Sequence, residues 1–224
     1  MVKTASNNSR REEAKEERRA RIVEAAFQLL HEYELDRVSV AMIAKRAGVS
    51  AATVYNLFGT KGAVLLKVYD RDLESFRRRV EEVRTGDALD AIFQSVEIAT
   101  EFYRRDPAFY RHALVAGAAS VEMAELNSLA RGSRLAFWED QINAAIDEGF
   151  LRSDTDVRRL GQLFGYITLG ALVDWVSGLI GIDEFEANAR FGFGVALMSV
   201  ATEAARPRVQ AASVKGDRPV QVSV

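Results

Sequence analysis

The chain has no cysteine among its 224 residues. That excludes disulfide staples, thiolate metal centres and cysteine nucleophiles. Histidine is nearly as scarce: His31 and His112 lie far apart and no carboxylate pair flanks either at metal-ligand spacing, so no metal site is expected. Only three prolines occur, and no alternation of polar and apolar residues is long enough to imply a sheet. Residues 1–21 are polar and charged throughout, whereas a secretory leader needs an apolar run; the expected location is cytoplasmic. The one long apolar run, 160–182, contains Asp174, Gln162 and five glycines. A charge at mid-bilayer is costly, so this run is expected to be a buried helix at a subunit interface and no membrane contact is expected.

What is present is a core and a helical rhythm. Hydrophobic residues make up 48% of the chain, including 12 Phe, 6 Tyr and 2 Trp, enough to bury a substantial interior. Charge is distributed unevenly. Residues 1–86 carry 17 basic and 13 acidic side chains, and residues 87–224 carry 13 and 19. A polyanion is therefore expected to meet the front of the molecule.

Helical periodicity dominates, and an all-α fold is expected. Residues 1–9 read as disordered. A first helix is predicted over 10–33, with Ile22, Ala25, Ala26, Leu29 and Leu30 in one stripe. Short helices over 39–47 and 50–58 follow, with Ser39 and Ser50 as N-caps. A long helix is predicted over 61–84 and another over 87–105, ending where Asp106-Pro107 starts the next. Residues 121–149 read as helical with a break near Gly132-Ser133, and the last long helices span 156–179 and 183–205. From Pro207 the chain reads as a disordered tail.

The informative stretch is 38–65, VSVAMIAKRAGVSAATVYNLFGTKGAVL. Ala47 lets two short helices approach closely, Gly48 can take the positive φ of a tight turn, and Val49 fills the gap between them. Ser50 caps a helix whose first residues then point away from the protein, the end that a major groove accepts. Val54, Leu57 and Phe58 are expected to anchor that helix. Ala51, Ala52, Thr53, Tyr55 and Asn56 are expected on its outer side. The Tyr55 hydroxyl suits a phosphate oxygen. Lys61 adds positive charge beside a helix N-terminus that already favours phosphate.

These residues resemble the TetR family of bacterial regulators. The matching positions are Ile22, Ala25, Ala26 and Leu29, then Ile43-Ala44, Ala47-Gly48-Val49-Ser50, Thr53-Val54-Tyr55, Phe58, Lys61 and Leu65. Beyond about residue 66 only the helical plan agrees, with an echo in Glu148-Gly149-Phe150-Leu151-Arg152. The resemblance implies a helix-turn-helix DNA-binding domain over residues 1–60, starting with a disordered segment. It further implies a larger helical ligand-binding and dimerisation domain over 61–205, and a disordered tail over 206–224. The expected partners are double-stranded operator DNA, a second copy of the chain and a small, largely apolar effector. Binding of that effector is expected to release a repressor from a palindromic operator through the helix at 61–84. DNA-contacting candidates are Ser39, Ser50, Ala51, Ala52, Thr53, Tyr55, Asn56 and Lys61. Ligand-wall candidates are Phe102, Phe109, Phe137, Trp138, Tyr166, Asp174 and Trp175. Asp174 stands out as a carboxylate on an apolar stripe, which requires a partner if buried, and Glu97 raises the same question.

No cofactor loop is expected: Phe191-Gly192-Phe193-Gly194 follows no strand, and its glycines suit close helix packing. The alternatives are a helical dimeric adaptor without DNA binding, and an all-helical enzyme using Asp174 or Glu97. The intact motif around Tyr55 and Lys61 disfavours the first. The absence of a nucleophile, a metal set and a cofactor loop disfavours the second, so no catalytic residue is expected.

Overall fold

The computed structural model describes the backbone of residues 2–115 and 121–214, and the side chains of 10–111, 132 and 134–214. Ten α-helices lie in this part: α1 (Val2–Glu32), α2 (Val40–Ala47), α3 (Ala51–Phe58), α4 (Lys61–Val83), α5 (Ala88–Arg105), α6 (Pro107–Val115), α7 (Val121–Asp147), α8 (Val157–Val176), α9 (Ile182–Met198) and α10 (Arg206–Ser213). Among the described residues the only β pairing is an isolated antiparallel bridge between Leu151 and Ala201. No helix there is long and apolar enough to cross a membrane. The apolar run at 160–182 is divided between α8 and α9, with Gly178 at φ 75° and Gly181 as the α9 N-cap.

Several features differ from expectation, and α9 ends at Met198 rather than at 205. α1 starts at Val2 rather than Arg10; lengthening an existing helix needs no new nucleus, and neither Pro nor Gly interrupts this segment. α7 passes unbroken through Gly132-Ser133. The tail expected to be disordered from residue 206 instead forms α10 over Arg206–Ser213, with Pro207 in its first turn and Val209 fully buried. Proline is tolerated at that place because its missing N–H would have no intrahelical partner. Residues 215–224 lie outside the described part.

The chain divides into two compact units, and the boundary expected near residue 60 is not where they part. The first comprises Met1–Asp72 with Ala108–Ala130, and the second Leu73–Pro107 with Arg131–Val224. In the first, Ile22, Ala26 and Leu29 of α1 meet a core completed by Leu35, Val38, Ile43, Ala44, Val54, Val64 and Val68. The rings of Phe27, His31 and Phe109 cluster at 4.5–5.3 Å, and the Tyr110 hydroxyl donates to Asp72 at 3.0 Å.

In the second unit Phe164 stacks on Phe193 at 4.1 Å, and Trp138 presents an edge to both. The Glu148–Arg152 segment has a definite task. Glu148 Oε2 accepts from the Ala88 N–H at the start of α5 at 2.8 Å, Gly149 takes φ 80°, and Arg152 N–H donates to Val200 at 2.9 Å. Glu97 finds its partner in Arg190, whose Nη1 lies 2.7 Å away. Arg190 is only 2% exposed; its Nη2 donates to the Ala212 carbonyl at 2.7 Å and its guanidinium covers the Phe93 ring. Burial raises the neighbouring Glu186 carboxyl above its ordinary range.

Three glycines of α8 and α9 make room for side chains of this same chain. A Cβ on Gly161 would meet Leu135, one on Gly192 would meet Ile167, and one on Gly194 would come within 2.2 Å of the Ser213 Cβ. Gly194 thus seats α10 on α9. Gly194→Leu should overpack that contact and lower stability by about 1–3 kcal/mol. Urea unfolding checks this, and an unchanged midpoint would contradict the assignment.

Arg208 holds α10 to the start of α5. Its Nη1 lies 2.6 Å from Asp87, which also caps α5 by accepting from the Asp90 N–H. The Arg208 hydrogen bonds hold the Asp87 carboxyl below its ordinary range. A carboxylate lowered in this way adds stability above its unfolded-state pKa of about 3.9, and loses it as pH falls through the lower folded value. Arg208→Ala should therefore be less stable than the parent at neutral pH, with the gap closing in strong acid. Parallel urea titrations at the two pH values measure this.

Candidate nucleic-acid interface

The interface is built by two caps and a turn. Ser39 Oγ accepts from the Met42 N–H at 3.2 Å, starting α2. Gly48 ends α2 in the left-handed region at φ 66°, ψ 39°, a conformation that costs glycine nothing, and the Val49 N–H returns to the Ala44 carbonyl at 3.0 Å. Ser50 then turns extended, and its Oγ accepts from the Thr53 N–H at 3.1 Å to start α3. Each cap satisfies an N–H that the helix cannot satisfy itself.

Val54 is 1% exposed and anchors α3. Opposite it, Ala51, Ala52, Tyr55 and Asn56 are exposed, Tyr55 by 52%. Thr53 is half-buried, and its hydroxyl lies 2.9 Å from Ser50 Oγ. Leu57 and Phe58 are also only half-buried. They border an open groove shared with Ala20 and Val23 of α1 and with Ala63 and Leu66 of α4.

Ser50, Ala51, Ala52, Thr53, Tyr55 and Asn56 thus lie on α3 or at its start, and Ser39 at the start of α2. Lys61 behaves differently. Its ammonium donates to the Leu35 carbonyl at 2.9 Å, tying the start of α4 to the loop between α1 and α2. Two basic residues outside the DNA-contacting candidates also act here. Arg46 of α2 forks onto Glu32 of α1 at 2.5 and 2.8 Å, and this holds the Glu32 carboxyl below its usual range. Arg19 reaches from α1 to the Leu57 carbonyl of α3. Neither follows from local spacing, because 14 and 38 residues separate the partners.

The ligand-wall candidates do not form one group. Phe102 and Phe137 both meet Phe76 edge-on, and Trp138 joins Phe137 at 4.8 Å. Trp175 stacks instead on Tyr103. Phe109 belongs to the first unit. Tyr166 and Asp174 are exposed on α8. In the single chain that side of α8 is uncovered, so the Asp174 carboxylate needs no partner within it.

Residues 22–68 match the model of the bacterial regulatory proteins, tetR family. The HTH-type transcriptional regulator EthR of Mycobacterium tuberculosis is 30% identical over 138 residues, 60% of this chain and 64% of EthR. The chain thus spans slightly less than two thirds of that relative's length. Among solved structures, a TetR transcriptional regulator from a Rhodococcus species superposes with a TM-score of 0.64 at 21% identity, covering 82% of this chain and 97% of its own. FadR of Thermus thermophilus, a transcriptional repressor solved with lauroyl-CoA, gives 0.63 at 20% identity, over 79% and 93%. At such identities the structures speak for the fold alone, and they agree with the all-helical plan. The matched segment spans the α2–turn–α3 motif with the end of α1 and the start of α4, so residues 22–68 are similar to the helix-turn-helix domain of the tetR family of bacterial regulatory proteins.

Proposed function

We propose that the chain is a ligand-responsive transcriptional repressor that binds a palindromic operator in the cytoplasm as a homodimer. The observation that carries this reading is the exposed row Ala51, Ala52, Tyr55 and Asn56 on a helix capped by Ser50 and anchored by Val54. No packing need within the first unit accounts for a half-exposed tyrosine there, whereas a major groove accepts such a helix end. Ala52, Thr53 and Asn56 face base edges. Tyr55 and Lys61 hold phosphates, with Lys61 also bracing the Leu35 loop.

Dimerisation uses the outer stripes of α8 and α9, where Leu163, Tyr166, Val173, Phe191 and Val195 are exposed. Contiguous apolar surface of this kind marks an association face. Asp174 lies beside Val173 and pairs across this face. The effector is small and largely apolar, and meets the ring group of Phe102, Phe137 and Trp138. The binding of lauroyl-CoA by FadR, whose fold is similar, supports an apolar portion in that effector. A gel shift on the chain's own promoter DNA across a salt series tests the reading: binding must weaken steeply with salt and exceed that to random DNA. Equal affinity for both DNAs would refute it.

A further inference from the structure

We infer that Arg19 is a positioning residue for the DNA-reading helix, holding the C-terminal end of α3 from α1; this rests on the function proposed above. α3 has eight residues, well below the ~12–15 at which an isolated helix becomes marginally stable. Its start is secured by Ser50. Its end is the weak point, because the last carbonyls of a helix have no partner within it and carry partial negative charge. α3 has no basic residue in its last turn. The Tyr55 carbonyl accepts from the Gly59 N–H at 2.7 Å. The Leu57 carbonyl accepts from Arg19 Nη2 at 3.2 Å.

The rest of the guanidinium is committed to the same place. Nη1 lies 3.1 Å from Glu16, one turn back on α1, and Cζ stands 5.9 Å from the centroid of the Phe58 ring. Nε is buried without a hydrogen-bond partner. Arg19 therefore supplies from another helix the cation and the donor that the end of α3 lacks, while its stem helps wall the groove beside Leu57 and Phe58. A lysine reaches with one point charge and cannot span the carbonyl, Glu16 and the ring together. Arg19 thus sets the direction in which Tyr55 and Asn56 project without touching DNA itself.

The test uses the full chain with Arg19→Gln and Arg19→Lys, measured in two ways. In the free protein, amide exchange over residues 56–59 should rise about three- to tenfold in Arg19→Gln, with α2 amides unchanged, and less in Arg19→Lys. Operator affinity should fall by a similar factor, and the preference for operator over random DNA with it, while the slope of log affinity against log salt stays as in the parent. A slope reduced by about one per subunit, with exchange at 56–59 unchanged, would make Arg19 a phosphate contact and overturn the assignment. A uniform rise in exchange across α1, α2 and α3, or no change in either measurement, would also overturn it. If the parent chain binds no DNA, the proposed function fails, and the exchange measurement still decides whether Arg19 anchors α3.

Discussion

Phe191→Glu is expected to leave a folded monomer with operator affinity reduced by roughly 10²–10⁴-fold. Phe191 is 63% exposed in the single chain and Tyr166 60%. Along α8, positions 163, 166, 170 and 173 fall on one exposed side, and along α9 positions 188, 191 and 195 do the same. A glutamate in the middle of that surface would have to be desolvated for two copies to meet, at a cost of several kcal/mol without a partner. The same glutamate sits in water in the monomer, so the chain's own stability should change by less than about 0.5 kcal/mol. The DNA effect follows from linkage. Two joined recognition helices bind the second half-site at an effective concentration that separate ones lack, which accounts for the two to four decades. Sedimentation and a gel shift on the same variant check both parts. A variant that remained dimeric would place the interface elsewhere.

The residues that were legible from sequence and those that were not differ in how far apart their partners lie. Ser39, Gly48 and Ser50 act on backbone groups within four residues of themselves, so their caps and turn could be read directly. The exposed row on α3 followed from the same register. Gly194 carried no such local message. Its lack of a side chain does matter for packing, but the neighbour is Ser213 of the same chain, not another subunit. That neighbour is not legible in the sequence, because Pro207 and the polar residues after it read as a disordered tail, although proline at a first helical turn is no obstacle. Asp174 lies on an apolar helix that suggests burial all round, yet one side of α8 is uncovered in the single chain. Glu97 raised a question that Arg190, 93 residues away, answers.

The aromatic residues show where pattern reading stops. Phe102, Phe137 and Trp138 do cluster, but Phe109 packs on Phe27 and His31, and Trp175 on Tyr103. Rings that line a pocket and rings that fill a core are the same residue types at the same helical spacing. Only the three-dimensional neighbours separate them. The same limit applied to Lys61, whose charge at a helix start suggested phosphate contact alone, while its ammonium also secures the Leu35 carbonyl.

Asn56→Ala should change which operator the protein prefers. Asn56 is exposed on the outer side of α3, next to Tyr55 and one turn beyond Ala52, and an asparagine amide can make two hydrogen bonds to one base edge. A good bidentate contact discriminates by about 1–3 kcal/mol. In a palindrome read by a symmetric dimer the loss occurs twice, roughly 30-fold to 10⁴-fold between the preferred base pair and its substitutes. Alanine keeps α3 intact, since Ser50 and Val54 are untouched and alanine is the best helix former. The salt slope should therefore stay as in the parent. Tyr55→Phe should instead weaken binding to all sequences alike, because only a phosphate-directed hydroxyl is lost. Lys61→Ala should do the same with a slope lower by about one per subunit, and should lower stability as well through the lost Leu35 contact. Affinities for a set of operators differing at one symmetric position, measured at two salt concentrations, separate these variants. If Asn56→Ala preserved the ranking of that set, base reading would have to be assigned to Ala52 and Thr53 alone.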